Sequence, residues 1–280
     1  MQKRESSAGS ALVAFVFAVV LVAITLTTIY FFLIQPKWGW FPPSITTVGD
    51  QIDAQFMRTL WITGVTFFLS QLALAWLIFR YRAKPGSRAQ YSHGHKTLEV
   101  LWTTATLLMF VGLGFLAKDA WADMYFRGAA PGAVQVDVLA QQFAWNFRYP
   151  GPDGKWGNTD PKYMSDSGGN PMGLDPNDPG AKDDIVGPTI AVPVGREVEL
   201  LLRTKDVTHS FFVRELRFKQ DTVPGMVIRM HFKAEKEGTY EIACAELCGL
   251  GHHRMRSFLL VKSEAEYQKW LAEQAAEAQQ

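Results

Sequence analysis

The chain has 280 residues, 28 Lys and Arg against 27 Asp and Glu, and 48% hydrophobic residues. That content excludes disorder throughout, the length allows one or two domains, and a net charge of +1 gives no general pull toward nucleic acid. Two cysteines exclude a disulfide framework, an iron–sulfur cluster held by four thiolates and a four-cysteine zinc site.

Apolar residues crowd into the first 120 positions. Residues 6–36 carry no charge and centre on ALVAFVFAVVLVAITLTTIYFFLI, with a span expected over 11–34. Lys3 and Arg4 ahead of it suit a signal peptide, but the run is longer than a signal's apolar core and no small-residue cleavage pattern follows, so a retained helix is expected. Residues 59–79 form a second uncharged run, which as a helix reaches about 31 Å, close to the thickness of a bilayer's hydrocarbon core. Residues 100–117 form a third, shorter run, with Trp121 and Tyr125 as interfacial anchors. Between the second and third runs lie Arg80, Arg82, Lys84, Arg88 and Lys96 with no acid, whereas the 37–58 loop is nearly neutral, with Asp50 and Asp53. Cytoplasmic loops are enriched in basic residues, so 80–96 and the N-terminus are expected inside, and everything after about residue 119 outside. No His lies in these runs, so the chain alone cannot hold a bis-His haem in the membrane. Glu99, at the inner mouth of the third run, reads equally well as an interfacial carboxylate or as a proton-uptake group.

The remainder reads as β structure. Short runs at 134–139, 143–149, 189–192, 197–203, 210–218, 226–232, 239–243 and 257–261, many alternating apolar and polar, are separated by Gly, Pro or Asp, which predicts an antiparallel sandwich or barrel. Residues 150–188 are rich in Gly, Asp, Pro and Asn and read as a long surface loop. Its aspartates (160, 166, 175, 178, 183 and 184) match no EF-hand spacing, which favours a solvated loop over a calcium site. Ser263 and Glu266 form a capping box opening a last helix, with Tyr267, Trp270 and Leu271 on one face.

One segment concentrates metal-ligand chemistry: Cys244, Glu246, Cys248, His252 and Met255, with His209 upstream at the start of a strand. Cys and Met are soft ligands that suit copper, and imidazole suits it too. A single-copper site needs one Cys, whereas two permit bridging thiolates, through which two copper ions can share an electron with little rearrangement. A Cys244–Cys248 disulfide would leave the two histidines and Met255 meeting by accident, and a tetrahedral zinc site has no use for Met255; both stay open on residues alone. His231 and His253 read as ordinary surface or core histidines, and a cysteine nucleophile is disfavoured by the crowding of ligand-type residues.

This segment resembles the binuclear copper A (CuA) motif of subunit II of haem–copper terminal oxidases. HSFFVRELRFKQDTVPGM, SHGHKTLEVLWT and QQFAWNFRYPGPDG resemble other parts of that family, so the likeness covers about residues 58–262. The resemblance implies a cupredoxin-like sandwich behind transmembrane helices, with His209, Cys244, Cys248, His252 and Met255 as side-chain ligands of copper and Glu246 giving its backbone carbonyl. It implies that the Glu246 side chain helps hold magnesium at the boundary with subunit I, that Glu99 lies at the mouth of a proton pathway, and that Trp145 lies on the electron path. Where the family usually has Trp, an aromatic and Trp, this chain has Phe143, Ala144 and Trp145, so electron uptake through the first position differs. The first span and the 150–188 loop are extra to the common plan.

The expectation is therefore a three-helix membrane anchor followed by an all-β cupredoxin-like domain: residues 1–57 an extra helix and outer loop, 58–124 a helical hairpin, 125–262 the copper domain and 263–280 a C-terminal helix. The implied enzyme is an aa3-type cytochrome c oxidase in a prokaryotic inner membrane, pumping protons, with oxygen reduced in subunit I. Implied partners are subunits I and III, membrane lipid and a cytochrome c or small copper protein as donor, with no nucleic acid. The alternatives are the copper subunit of a nitric oxide reductase and a membrane-anchored copper carrier or sensor.

Overall fold

The computed structural model describes residues 2–34, 42–84, 86, 88 and 90–278, with backbone only at 2–8, 10, 32–34 and 278. Three long helices come first: α1 (Gln2–Ile34), α2 (Thr47–Arg80) and α3 (Lys96–Tyr125). Each is long and apolar enough to cross a membrane, with mean hydropathy of 2.8 for residues 11–31 and 1.9 for both α2 and α3. Their apolar side chains face outward, as Trp76, Leu101, Leu108 and Phe110 show. Such a surface needs lipid or protein around it.

The helices differ from expectation at one point. The 37–58 segment is not a loop throughout, because α2 starts at Thr47. The Thr46 hydroxyl accepts the Gly49 N–H at 2.8 Å and Asp50 sits in the first turn, so a capped, acid-favoured N-terminus extends the helix beyond its apolar run. The start of that segment, through residue 41, lies outside the described residues, as do Pro36 and residues 85, 87 and 89 of the basic loop.

Contacts divide the chain into two compact units, one of residues 1–42 and 54–117, the other of residues 43–53 and 118–280. The second unit is a sandwich of two five-stranded sheets. Its strands are β1 (Val134–Gln141), β2 (Ala144–Tyr149), β3 (Ile185–Gly187), β4 (Ile190–Pro193), β5 (Glu197–Thr204), β6 (His209–Val213), β7 (Phe218–Thr222), β8 (Ile228–Lys233), β9 (Gly238–Cys244) and β10 (Arg256–Lys262). One sheet runs β3-β2-β1-β5-β8 and the other β4-β10-β9-β6-β7. The sandwich is not purely antiparallel, since β1 pairs parallel with β5 and β4 parallel with β10. Alternating inward residues such as Val198, Leu200 and Leu202, facing Phe211 and Ile242, fill the space between the sheets with no exposed surface.

The run expected as one strand over 210–218 breaks in two. Between β6 and β7 a 3-10 turn, Arg214–Leu216, ends at Arg217 in the left-handed region (φ 57°). The Arg217 guanidinium forms a two-point ion pair with Asp53, at 2.6 and 2.9 Å, and the Glu215 carbonyl accepts the Ile45 N–H at 3.0 Å. The break is thus where residues 44–53 are fastened to the sandwich.

The 150–188 segment is not a plain surface loop either. Asp160 and Asp178 cap two short 3-10 turns, Met172 and Ala181 are buried, and the segment's end supplies β3. Arg148 in β2 anchors it: its Nε donates to Asp184 at 2.9 Å, another guanidinium nitrogen donates to the Gly157 carbonyl, and Trp156 stacks 5.0 Å from the charge. Asp184 is fully buried, and burial holds its carboxyl above the usual range despite Arg148. The final helix, α4 (Glu264–Ala278), opens with the expected capping box, the Ser263 hydroxyl accepting the Glu266 N–H at 3.4 Å. Its Tyr267 is buried, and Trp270 packs edge-on to Tyr149, 5.5 Å between rings.

Candidate metal centre

The site lies where β6 begins and β9 ends. His209 opens β6, Cys244 closes β9, and a loop carries the chain through Cys248, His252 and Met255 to β10. The Cys244 N–H donates to the Met255 carbonyl at 3.1 Å, closing the loop at its base, and the Ala245 N–H donates to the Ser210 carbonyl at 3.0 Å, joining it to β6. A short 3-10 turn, His252–Arg254, then faces both His252 and Met255 toward Cys248.

The donor atoms converge. The two Sγ atoms are 3.8 Å apart; Cys244 Sγ lies 3.9 Å from His209 Nδ1, and Cys248 Sγ lies 3.6 Å from His252 Nδ1 and 3.9 Å from Met255 Sδ. The Glu246 carbonyl oxygen is 3.2 Å from Cys244 Sγ, while the Glu246 side chain is exposed. His209, Cys244 and Cys248 form a metal-competent group whose donor atoms all lie within 4.8 Å of one another. His209, Cys244, Cys248 and Met255 are buried and His252 half-buried.

This geometry narrows the alternatives. Both cysteines are free, and 3.8 Å is far beyond the ~2 Å of a disulfide. A single tetrahedral zinc takes four ligands, whereas four further donors surround the sulfur pair here, six in all. Burial, reinforced by the neighbouring Cys244, pushes the Cys248 thiol up to about 11, and metal binding at such a sulfur displaces its proton. Soft sulfur flanked by an imidazole on each side is a donor set that fits copper.

Trp145 in β2 is buried, its ring 6.3 Å from that of His209 and 5.6 Å from that of Phe211. Phe143 is 38% exposed and its ring lies on the metal loop: a Cβ on Gly251 would collide with it, and Gly249 beside it has φ 133°, so glycine is required at both positions. Glu99 belongs to the other compact unit, in the first turn of α3. His253 is exposed, and His231 is half-buried, bonded to Glu197 at 2.6 Å and to the Arg127 carbonyl at 2.7 Å.

Sequence reading missed two residues here. Asp206 Oδ1 lies 2.8 Å from His209 Nε2, and its carboxylate also accepts the N–H groups of Gln142 and Val207, each at 2.7 Å. Burial works against its charge, but these bonds outweigh it and hold the carboxyl below the usual range. The Gln142 side chain donates to the Cys248 carbonyl at 2.5 Å. An acid three residues before a ligand histidine could have been noticed; Gln142 carried no signal.

Residues 175–262 match the family described as cytochrome c oxidase subunit II, periplasmic domain. The chain is 37% identical over 264 residues to the alternative cytochrome c oxidase subunit 2 of Bradyrhizobium diazoefficiens, covering 92% of this chain and 91% of that one. It is 30% identical over 249 residues to cytochrome c oxidase subunit 2 of Cereibacter sphaeroides, covering 85% and 80%. The solved periplasmic domain of subunit II of cytochrome oxidase of Bradyrhizobium japonicum aligns with TM-score 0.39 and 24% identity, over 52% of this chain and 97% of that one.

Proposed function

Because the chain belongs to the cytochrome c oxidase subunit II family, and so to a terminal oxidase complex, we propose that its sandwich domain receives electrons one at a time at a binuclear copper centre and delivers them to haem in subunit I of an aa3-type, proton-pumping enzyme. The observation that carries this reading is the pair of sulfurs 3.8 Å apart with an imidazole nitrogen beside each, at 3.9 and 3.6 Å. Cys244, Cys248, His209, His252, Met255 and the Glu246 carbonyl would together hold two copper ions. Bound there, copper supplies one-electron chemistry with little change of geometry.

The protein's own part is to hold these groups still and dry. The loop is closed at its base and carries Cys244, Cys248 and Met255 as buried side chains, which fixes both sulfurs away from water, so little must rearrange when the charge changes. The Trp145 ring, edge-on to His209, offers a path through the interior, and Phe143 forms the outer face over the loop. The donor is a cytochrome c or a small copper protein. The exposed Glu246 side chain would share a magnesium ion with subunit I. The chain is membrane-anchored with this domain on the periplasmic side. We read all three helices as spans, with the N-terminus and the basic 80–96 segment in the cytoplasm, where Glu99 would take up protons.

Electron paramagnetic resonance of the purified complex tests the centre. The expected spectrum shows hyperfine splitting from one electron spread equally over two copper nuclei. A spectrum from one isolated copper would overturn the reading.

A further inference from the structure

We propose that Asp206 is a positioning residue that fixes the tautomer of His209 and ties the outer turn at Gln142 and Phe143 to the metal loop; this rests on the copper reading above. An ionised carboxylate only accepts hydrogen bonds, so the 2.8 Å contact to His209 Nε2 requires the ring proton on that nitrogen. The proton-free Nδ1 is then the nitrogen facing Cys244 Sγ at 3.9 Å. His209 has no exposed surface in the intact fold, so the Asp206 carboxylate, not water, is the partner of its Nε2. A carboxylate on the far nitrogen of a ligand imidazole makes that ligand more basic and favours the more positive metal state.

The same carboxylate reaches outward. It accepts the Gln142 N–H at 2.7 Å, and the Gln142 side chain donates to the Cys248 carbonyl at 2.5 Å. The next residue, Phe143, packs on Gly249 and Gly251. One carboxylate therefore links a ligand imidazole, the loop bearing the second cysteine and the surface over that loop. Asp206 touches none of the expected metal directly; it acts through His209 and Gln142.

The test uses the whole complex. Asp206→Asn is expected to weaken copper retention against a competing chelator by about 10- to 100-fold. At saturating copper it should keep two ions per complex with a raised reduction potential, and Asp206→Glu, which restores the charge, should bring the potential back toward the wild-type value. Wild-type retention and potential in Asp206→Asn would overturn the proposal while leaving the binuclear centre standing. A single-copper spectrum in the wild type would instead overturn the reading beneath it. A measurement that needs no variant is nitrogen NMR of the wild-type complex with copper removed and histidine rings labelled. His209 should show its proton on Nε2; the opposite tautomer or an even mixture would overturn the proposal.

Discussion

Met255 separates tuning of the centre from binding to it. Its side chain is 1% exposed and its Sδ lies 3.9 Å from Cys248 Sγ, while the cysteines and histidines supply the stronger donors. Thioether is a weak ligand, so its loss should change the energy of the centre more than its occupancy. Met255→Leu nearly conserves volume and should cost under about 1.5 kcal/mol of stability. The expected outcome is two copper ions retained, with a shifted reduction potential and unequal sharing of the spin; an unchanged spectrum would remove Met255 from the ligand set. At this scale the metal-type residues were legible because four of them fall within twelve positions and their chemistry is narrow. Asp206 and Gln142 were not, because their roles arise where the turn after β1 meets the turn after β5, and linear spacing carries no trace of that meeting. The position of Phe143 on the loop was equally hidden, since it depends on two glycines more than a hundred residues away.

Among the elements, those with strong local codes were legible and those made by tertiary partners were not. The capping box of α4 and the shared face of Tyr267, Trp270 and Leu271 follow from residue type and spacing alone. The split of β6 from β7 follows from bonds to residues 45 and 53, and the order in the 150–188 segment from a buried arginine, so neither shows in local propensity. The parallel pairs β1–β5 and β4–β10 are also invisible to alternation, which reports a strand's faces and not its partner. The seam between α4 and β2 has a pH dependence. Burial pushes the Tyr267 phenol up to about 12 and holds Tyr149 well above 10. An unfolded tyrosine ionises near 10, so the stabilising contribution is complete below that pH and is lost as pH climbs toward the folded value. For Tyr267 the loss is about 1 kcal/mol by pH 11. Urea unfolding at pH 9 and pH 11 should show that decline, and Tyr267→Phe should lessen it, with Tyr149 and Tyr240, whose phenols burial also raises, among the groups that remain. An identical decline in the variant would place the titration elsewhere.

For the molecule as a whole, the residues proposed for electron uptake and for proton uptake fall in different units. The metal-ligand candidates all lie in the unit containing residues 118–280, whereas Glu99 lies in the unit of helices. The basic residues Arg80, Arg82, Lys84, Arg88 and Lys96 precede Glu99, and none of the metal-ligand candidates is near them in sequence. With the basic segment in the cytoplasm and the sandwich outside, electrons would arrive from one side and protons from the other. Reaction of the two in subunit I would then move charge across the membrane even before any pumping. This arrangement makes electron arrival and proton arrival independently testable. Glu99 is exposed in the first turn of α3, where the His95 ring accepts the Leu98 N–H at 3.4 Å and caps the helix, so Glu99 is not needed for capping and its removal should leave the helix intact. Glu99→Ala should therefore leave reduction of the copper centre at its wild-type rate while slowing proton uptake and turnover in the assembled complex. Positioned proton-transfer groups are commonly worth ~100-fold, so a slowing of about tenfold or more is expected. Rapid-mixing measurements with a pH dye and with copper absorbance read the two processes separately. Normal turnover would show that Glu99 is an interfacial carboxylate and that protons enter elsewhere, while slowed copper reduction would mean the substitution disturbs assembly rather than proton uptake.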